Sequence, residues 1–141
     1  MKLHKHIQSP SGFTVIELMV TIGVAAILMG IAIPSFLSWL PTIRLSSAAR
    51  QIATDLQLAR MRAISQNISL TVTFDAANGT YSFGTDSRNL DDLYPGITIT
   101  TAPTNPTFTP RGTANAITVT ISNGSASKTV QVSAVGRVKI L

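Results

Sequence analysis

The sequence predicts an α+β protein in which a long N-terminal helix, membrane-spanning in its first half and amphipathic in its second, packs on an antiparallel β-sheet head. Three observations carry this. From Phe13 to Leu40 the only ionisable side chain is Glu17. From Leu45 to Ala63 apolar residues recur at steps of three and four, and beyond Asn67 they recur at steps of two. With 141 residues and 45% apolar side chains there is room for one modest head beside the apolar segment, and none for a large enzyme core.

The first segment, residues 1–12, reads as a leader. Lys2 and Lys5 precede the apolar run, and positive charge there keeps that end cytoplasmic. His4 and His6 are two ligands at most, and fit a polar flank better than a metal site. The second segment, 13–41, is the hydrophobic helix. Its 28 residues from Phe13 to Leu40 rise about 42 Å, more than the roughly 30 Å hydrocarbon core of a bilayer requires. Glu17 is the anomaly, because a carboxylate in an apolar helix costs up to about 3 kcal/mol unless it lies near the interface or is paired. A cut between Gly12 and Phe13 would place a new α-amino group four residues before Glu17, and the amine of a neighbouring copy would serve equally. A signal anchor with its Glu at the headgroup level shares the same composition. A secretory signal, by contrast, has a shorter apolar region and is cut after it. Pro34 and Pro41 each remove a backbone donor, so a flexible or interrupted helix is expected from Gly30 to Pro41.

Residues 42–67 form the amphipathic segment. Leu45, Ala48, Ala49, Ile52, Leu56, Ala59 and Ala63 make one stripe, with Arg44, Arg50, Asp55 and Arg62 mostly off it. Alanine on the stripe permits close approach to a sheet. Arg44, Arg50, Arg60 and Arg62 against Asp55 make the helix basic, which fits a solvated face or contact with a neighbouring subunit or an anionic polymer.

Residues 68–141 carry the sheet, with about five to seven strands expected. Ile68, Leu70, Val72 and Phe74 alternate up to the turn Asp75-Ala76-Ala77-Asn78-Gly79, and Tyr81 and Phe83 answer them in a hairpin. Residues 84–95 read as an irregular acidic loop, Ile97 and Ile99 as a strand, and Thr101 to Arg111 as a connection anchored by Phe108. Ile117, Val119 and Ile121 pair across Asn123-Gly124 with Val130, Val132 and Ala134, and Val138 and Ile140 close the chain.

The chemistry-bearing residues are few. There is no Cys, no His after position 6, and no Gly-rich phosphate cradle between a strand and a helix. Asp91-Asp92 is the only adjacent acidic pair and suits a solvated turn. Neither an enzyme nor a bound metal or cofactor is expected.

Gly12-Phe13-Thr14-Val15-Ile16-Glu17, after a short basic leader and before an uninterrupted apolar run, resembles the class III signal of type IV pilins and type II secretion pseudopilins. The resemblance implies a pilin-like fold. It also implies that a prepilin peptidase cuts between Gly12 and Phe13 and N-methylates Phe13, and that Glu17 pairs with the N-terminus of an adjacent pilin or pseudopilin in a filament. The chain would then sit as a single-pass protein of the inner membrane before assembly and in a periplasmic or cell-surface filament afterwards. Pro34 matches a helix-breaking proline common in pilins. Many pilins close their C-terminal region with a disulfide, and a chain without Cys must hold it by strand pairing.

Phe108-Thr109-Pro110-Arg111-Gly112 and the closing Val135-Gly136-Arg137-Val138-Lys139-Ile140 are similar to the ending of the GspH/FimT branch. That branch holds minor pilins, type II secretion pseudopilins, and DNA-binding pilins of natural transformation. In the DNA-binding members a Gly-Arg-x-Arg motif touches DNA. Gly136-Arg137-Val138-Lys139 stands in its place, with Lys keeping the charge and losing the planar fork. Arg137 and Lys139, two apart on a strand, project from one face and could bridge successive phosphates of double-stranded DNA. From Arg44 onward nine Lys and Arg stand against five Asp, a formal +4 that favours a polyanion.

Overall fold

Helix α1 covers Val15–Ser65, and the chain divides into two compact units, 1–38 and 39–141. The computed structural model describes residues 12–102 and 104–141, so the expectations for the leader up to Ser11 lie outside the described residues. In the first unit the helix from Val15 to Ser38 carries apolar side chains that are all exposed or nearly so, and it is long and apolar enough to cross a membrane. Helical structure carries through Pro34 and Pro41, where an interruption was expected. A proline φ is itself helical, so each ring forfeits one hydrogen bond, to the carbonyl of Gly30 or of Leu37, without ending the helix.

In the second unit the helix buries the whole predicted stripe, Leu45, Ala48, Ala49, Ile52, Leu56, Ala59 and Ala63, together with Ala53 and Asp55. Among the described residues eight strands cover it. They are β1 Leu70–Asp75, β2 Thr80–Phe83, β3 Asp86–Asn89, β4 Thr98–Thr101, β5 Thr107–Phe108, β6 Ile117–Ser122, β7 Ser127–Val132 and β8 Val138–Ile140, with a helical turn α2 at Leu90–Leu93. They form two four-stranded antiparallel sheets, ordered β3-β2-β1-β5 and β4-β6-β7-β8. The expected five to seven strands are thus exceeded, because the segment read as an irregular acidic loop contains β3, with α2 after it, and the segment read as a connection contains β5. Asp86-Ser87-Arg88-Asn89 has no apolar alternation, and its strand rests on ladder bonds to β2 from Phe83↔Asp86 to Thr80↔Asn89.

The core is built from the stripe and the inward positions of both sheets. Val72, Phe74, Tyr81 and Phe83 come from the first sheet, and Ile99, Val119, Ile121, Val130 and Val132 from the second, with Phe108 buried on β5. Phe108 anchors its connection as expected, pairing with Leu70 and bridging to Ala114. The outward positions Thr98, Thr118 and Gln131 remain exposed, which is the alternation a one-sided sheet produces. The C-terminal strand is held by pairing, with Val132↔Val138, Gln131↔Lys139 and Val130↔Ile140, and by Val138 and Ile140 packing on the core.

Candidate assembly and nucleic-acid interface

At the N-terminus Gly12, Phe13 and Thr14 precede the helix and are exposed. The Thr14 hydroxyl accepts a hydrogen bond from the Glu17 backbone N–H at 3.3 Å, and the Leu18 N–H donates to the Thr14 carbonyl at 3.1 Å. Thr14 is therefore the N-cap and Glu17 stands three residues into the helix, the spacing of a capping box. Thr-x-x-Glu before an apolar run is the sequence signal for this cap, which the expectations above do not include. An acid in the first turn also faces the positive end of the helix dipole, which makes the position tolerable for a carboxylate. The Glu17 side chain is exposed, and among the described residues the ion pairs are Arg62–Asp86 and Arg88–Asp55, so Glu17 has no cation beside it there.

At the C-terminus Arg137 and Lys139 are both exposed, while Val138 and Ile140 between and beyond them turn inward against the core. The two cations thus share the outward side, as the spacing implies. Arg137 leaves a tight turn in which Gly136 N–H donates to the Ser133 carbonyl at 2.8 Å and Arg137 N–H to the Ser133 hydroxyl at 3.1 Å. Gly136 is buried with φ +74°, and a Cβ there would lie 1.9 Å from the Gly112 carbonyl oxygen. Only two glycine turns allow the backbones to cross so closely. Arg60 of α1 fastens the crossing, its Nε donating to the Gly112 carbonyl at 2.8 Å and its Nη2 reaching the Val135 carbonyl at 3.5 Å. Both glycines stand in the C-terminal sequence motifs, but nothing in their spacing shows that the two turns meet.

The basic helix face is largely engaged. Arg62 pairs with Asp86 at 2.5 Å and lies 5.3 Å from the Phe83 ring centre, and Arg44 reaches the Pro95 carbonyl at 3.4 Å. Arg50 remains exposed. Asp55, expected off the stripe, is buried at 3% exposure, where it accepts from the Tyr81 hydroxyl at 2.6 Å and from Gln51 at 3.1 Å, with Arg88 3.8 Å away. This carboxylate ties the helix to the first sheet, and it is satisfied because Tyr81 and Gln51 both turn donors toward it. Burial, and then the hydrogen bond to Asp55, push the Tyr81 phenol well above its ordinary range.

Between the outer helix face and the C-terminal turn lies a groove of about 390 Å³, lined by Gln57, Met61 and Ile64 at helical spacing and by Gly136, Arg137 and Val138, with Arg60 at its base. The described residues hold surfaces for contact: an exposed apolar helix with one acid in its first turn, and a head whose C-terminal turn presents cations.

Two family models match the chain. One, described as type II transport protein GspH, matches residues 48–136, and the other, the prokaryotic N-terminal methylation motif, matches residues 8–33. Among solved structures, the type IV minor pilin FimU of Pseudomonas aeruginosa is similar at 20% identity, covering 69% of this chain and 87% of that one with a TM-score of 0.59. In a second crystal form FimU covers 69% and 92% with a TM-score of 0.57. The minor pseudopilin EpsH from the type 2 secretion system of Vibrio cholerae is similar at 15% identity, covering 70% of this chain and 96% of that one, with a TM-score of 0.57. These likenesses establish a shared fold. A comparison with curated protein sequences finds no match.

Proposed function

Because the chain belongs to the GspH family of pilin-like proteins, we propose that it is a minor-pilin-like structural subunit, cut by prepilin peptidase between Gly12 and Phe13, N-methylated at Phe13, and assembled from the inner membrane into a type IV pilus or pseudopilus. The observation that carries this reading is Glu17, an exposed carboxylate in the first turn of an exposed apolar helix with no cation beside it among the described residues. In a bilayer or a filament core such a group demands a positive partner. The amine freed at Phe13 is that partner in chemical kind. Phe13 lies four residues before Glu17, two of them ahead of the helix start, so pairing the Glu17 of one subunit with the amine of the next sets their axial offset to about one helical turn. The partners in this account are the peptidase, other pilins or pseudopilins, and the inner membrane. Mass spectrometry of the chain recovered from a host with its prepilin peptidase should show loss of residues 1–12 and one added methyl group. A full-length, unmethylated chain in that host would overturn the processing step.

A second reading is a FimT-like minor pilin that binds double-stranded DNA in natural transformation. Arg137 and Lys139 support it, being exposed on one side of a chain end that Arg60 and the glycine crossing hold in place. A type II secretion pseudopilin of the GspH type shares every feature of the first reading and differs in the machine that uses it.

A further inference from the structure

Helix α1 changes character over a short stretch. The apolar run ends at Leu40, and the first charge after it is Arg44. A hydrocarbon core of about 30 Å takes about 20 helical residues, and the polar headgroup layer on each side adds about 5–7 Å. A core with Glu17 at one edge has its other edge near residue 37, and one that uses the run to its end has that edge at Leu40. Headgroups on the side from which the head emerges then lie level with residues from about 37 to about 45. Trp39, the chain's single Trp and 63% exposed, falls in that layer, where indole rings are enriched.

One face of the helix suits that layer. Trp39, Thr42, Ile43, Ser46 and Arg50 stand at i, i+3, i+4, i+7 and i+11, and with Ser47 they line a cavity of about 240 Å³ on the side away from the buried Leu45, Ala48 and Ile52. Helix side chains lean toward the N-terminus, so the stem of Arg50, which starts one turn beyond Ser46, runs back toward the headgroup level. Among the described residues no acid lines the cavity, and the ion pairs are Arg62–Asp86 and Arg88–Asp55, which leaves Arg50 unpaired. The hydroxyls are free as well. Thr21, Ser38, Thr54 and Ser65 donate back to carbonyls of their own helix, and Thr42, Ser46 and Ser47 do not. Arg44 stands on another side of the helix, where it reaches the Pro95 carbonyl.

We infer that this face binds the headgroup of an anionic phospholipid of the bilayer that holds the helix. Arg50 takes the phosphate with the fork of its guanidinium, which matches two phosphate oxygens at once, and the Thr42, Ser46 and Ser47 hydroxyls donate to the other headgroup oxygens. Trp39 and Ile43, exposed at 63% and 42%, give the glycerol and the upper acyl chain an apolar seat. The bilayer itself selects the occupant, because at this depth its headgroups are the phosphate-bearing groups beside the helix. An anionic lipid is favoured over a zwitterionic one because its net charge neutralises Arg50, whereas a headgroup amine would find no acid on this face. The inference rests on membrane anchoring before assembly and uses neither the Gly12-Phe13 site nor Glu17.

Because Trp39 is the single Trp, its fluorescence reads the site in the full chain. The protein is placed in phosphatidylcholine nanodiscs that carry, at equal mole fraction, either phosphatidylglycerol or phosphatidylcholine brominated near the headgroup end of its acyl chains. The brominated phosphatidylglycerol should quench Trp39 about two- to fivefold more, the enrichment that one basic side chain near a membrane surface confers. Arg50→Gln, a change at an exposed position, should abolish the excess, while Arg44→Gln should leave most of it. Equal quenching by the two lipids would overturn the headgroup site while still reporting an inserted helix. So would an excess that survives Arg50→Gln, or one that Arg44→Gln removes equally, since general attraction to the surface would then explain it. Loss of the excess on adding inorganic phosphate would assign the face to a free anion and overturn the lipid reading. Quenching by neither lipid would place Trp39 away from the bilayer and contradict the anchoring on which the site rests.

Discussion

Replacing Gly136 with alanine strikes the point where the C-terminal turn crosses the Pro110–Gly112 turn. A Cβ at Gly136 would sit 1.9 Å from the Gly112 oxygen and 2.9 Å from Arg60 Nε, and φ is +74°. The left-handed backbone alone costs an alanine about 1 kcal/mol. The overlap with a backbone oxygen cannot be relieved by a side-chain rotation, so the two turns must part and Arg60 must release its carbonyls. A hydrogen bond to a charged group contributes about 1.5–3 kcal/mol, which brings the expected loss to about 2.5–4 kcal/mol. Gly124→Ala provides the control, because φ is +84° there and a Cβ meets nothing within 4 Å. It should cost about 1 kcal/mol from the backbone alone. Urea unfolding of the full chain in detergent, followed by near-ultraviolet circular dichroism, measures both. If Gly136→Ala cost no more than Gly124→Ala, the crossing would not be a structural junction.

The remaining predictions concern the buried pair and the exposed cations. The Tyr81 phenol, with its pKa raised by burial and by Asp55, should stay protonated in the folded head when spectrophotometric titration passes the ordinary tyrosine pKa of about 10, while unfolded chain ionises there. Since the folded pKa lies above the unfolded one, the contribution of this group is complete below about pH 10 and declines as pH rises beyond it; a phenol titrating at its ordinary value in folded protein would contradict the burial. Arg137→Ala with Lys139→Ala should weaken binding of the full chain to duplex DNA similarly for all sequences and flatten its salt dependence, as phosphate contacts require. Unchanged binding in titrations at two salt concentrations would remove both residues from a DNA interface.

How much of this was legible in the sequence follows from what each residue does. The stripe from Leu45 to Ala63 announced itself because burial on one helix face imposes its spacing regardless of what covers it. The hairpins at Asp75–Gly79 and Asn123–Gly124 did so because turn residues sit between alternating runs. Strand β3 was hidden, since Asp86 to Asn89 bury little and are held by main-chain bonds and the Arg62–Asp86 pair. Asp55 was misleading for a related reason. A lone acid on a basic helix looks solvated until Tyr81, 26 residues away, supplies its donor. Alternation reports a strand's buried face and not its neighbours, so the division into two sheets was not readable. On the proposed processing and pairing, Gly12-Phe13 and Glu17 act through chemistry at the membrane, so the sequence motif is more informative there than the fold. The Arg60 junction is the opposite case, visible only once Gly112 and Gly136 are in contact.

The most direct test of the assembly account is filament incorporation of a Glu17→Ala chain in a host carrying the matching machine. Membrane insertion and cleavage should proceed as in the parent, because the apolar helix and the Gly12-Phe13 site are intact, while recovery of the chain in sheared filaments should be lost. A Glu17→Ala chain present in filaments at parental levels would contradict the pairing of Glu17 with a neighbouring N-terminus, and with it the central claim.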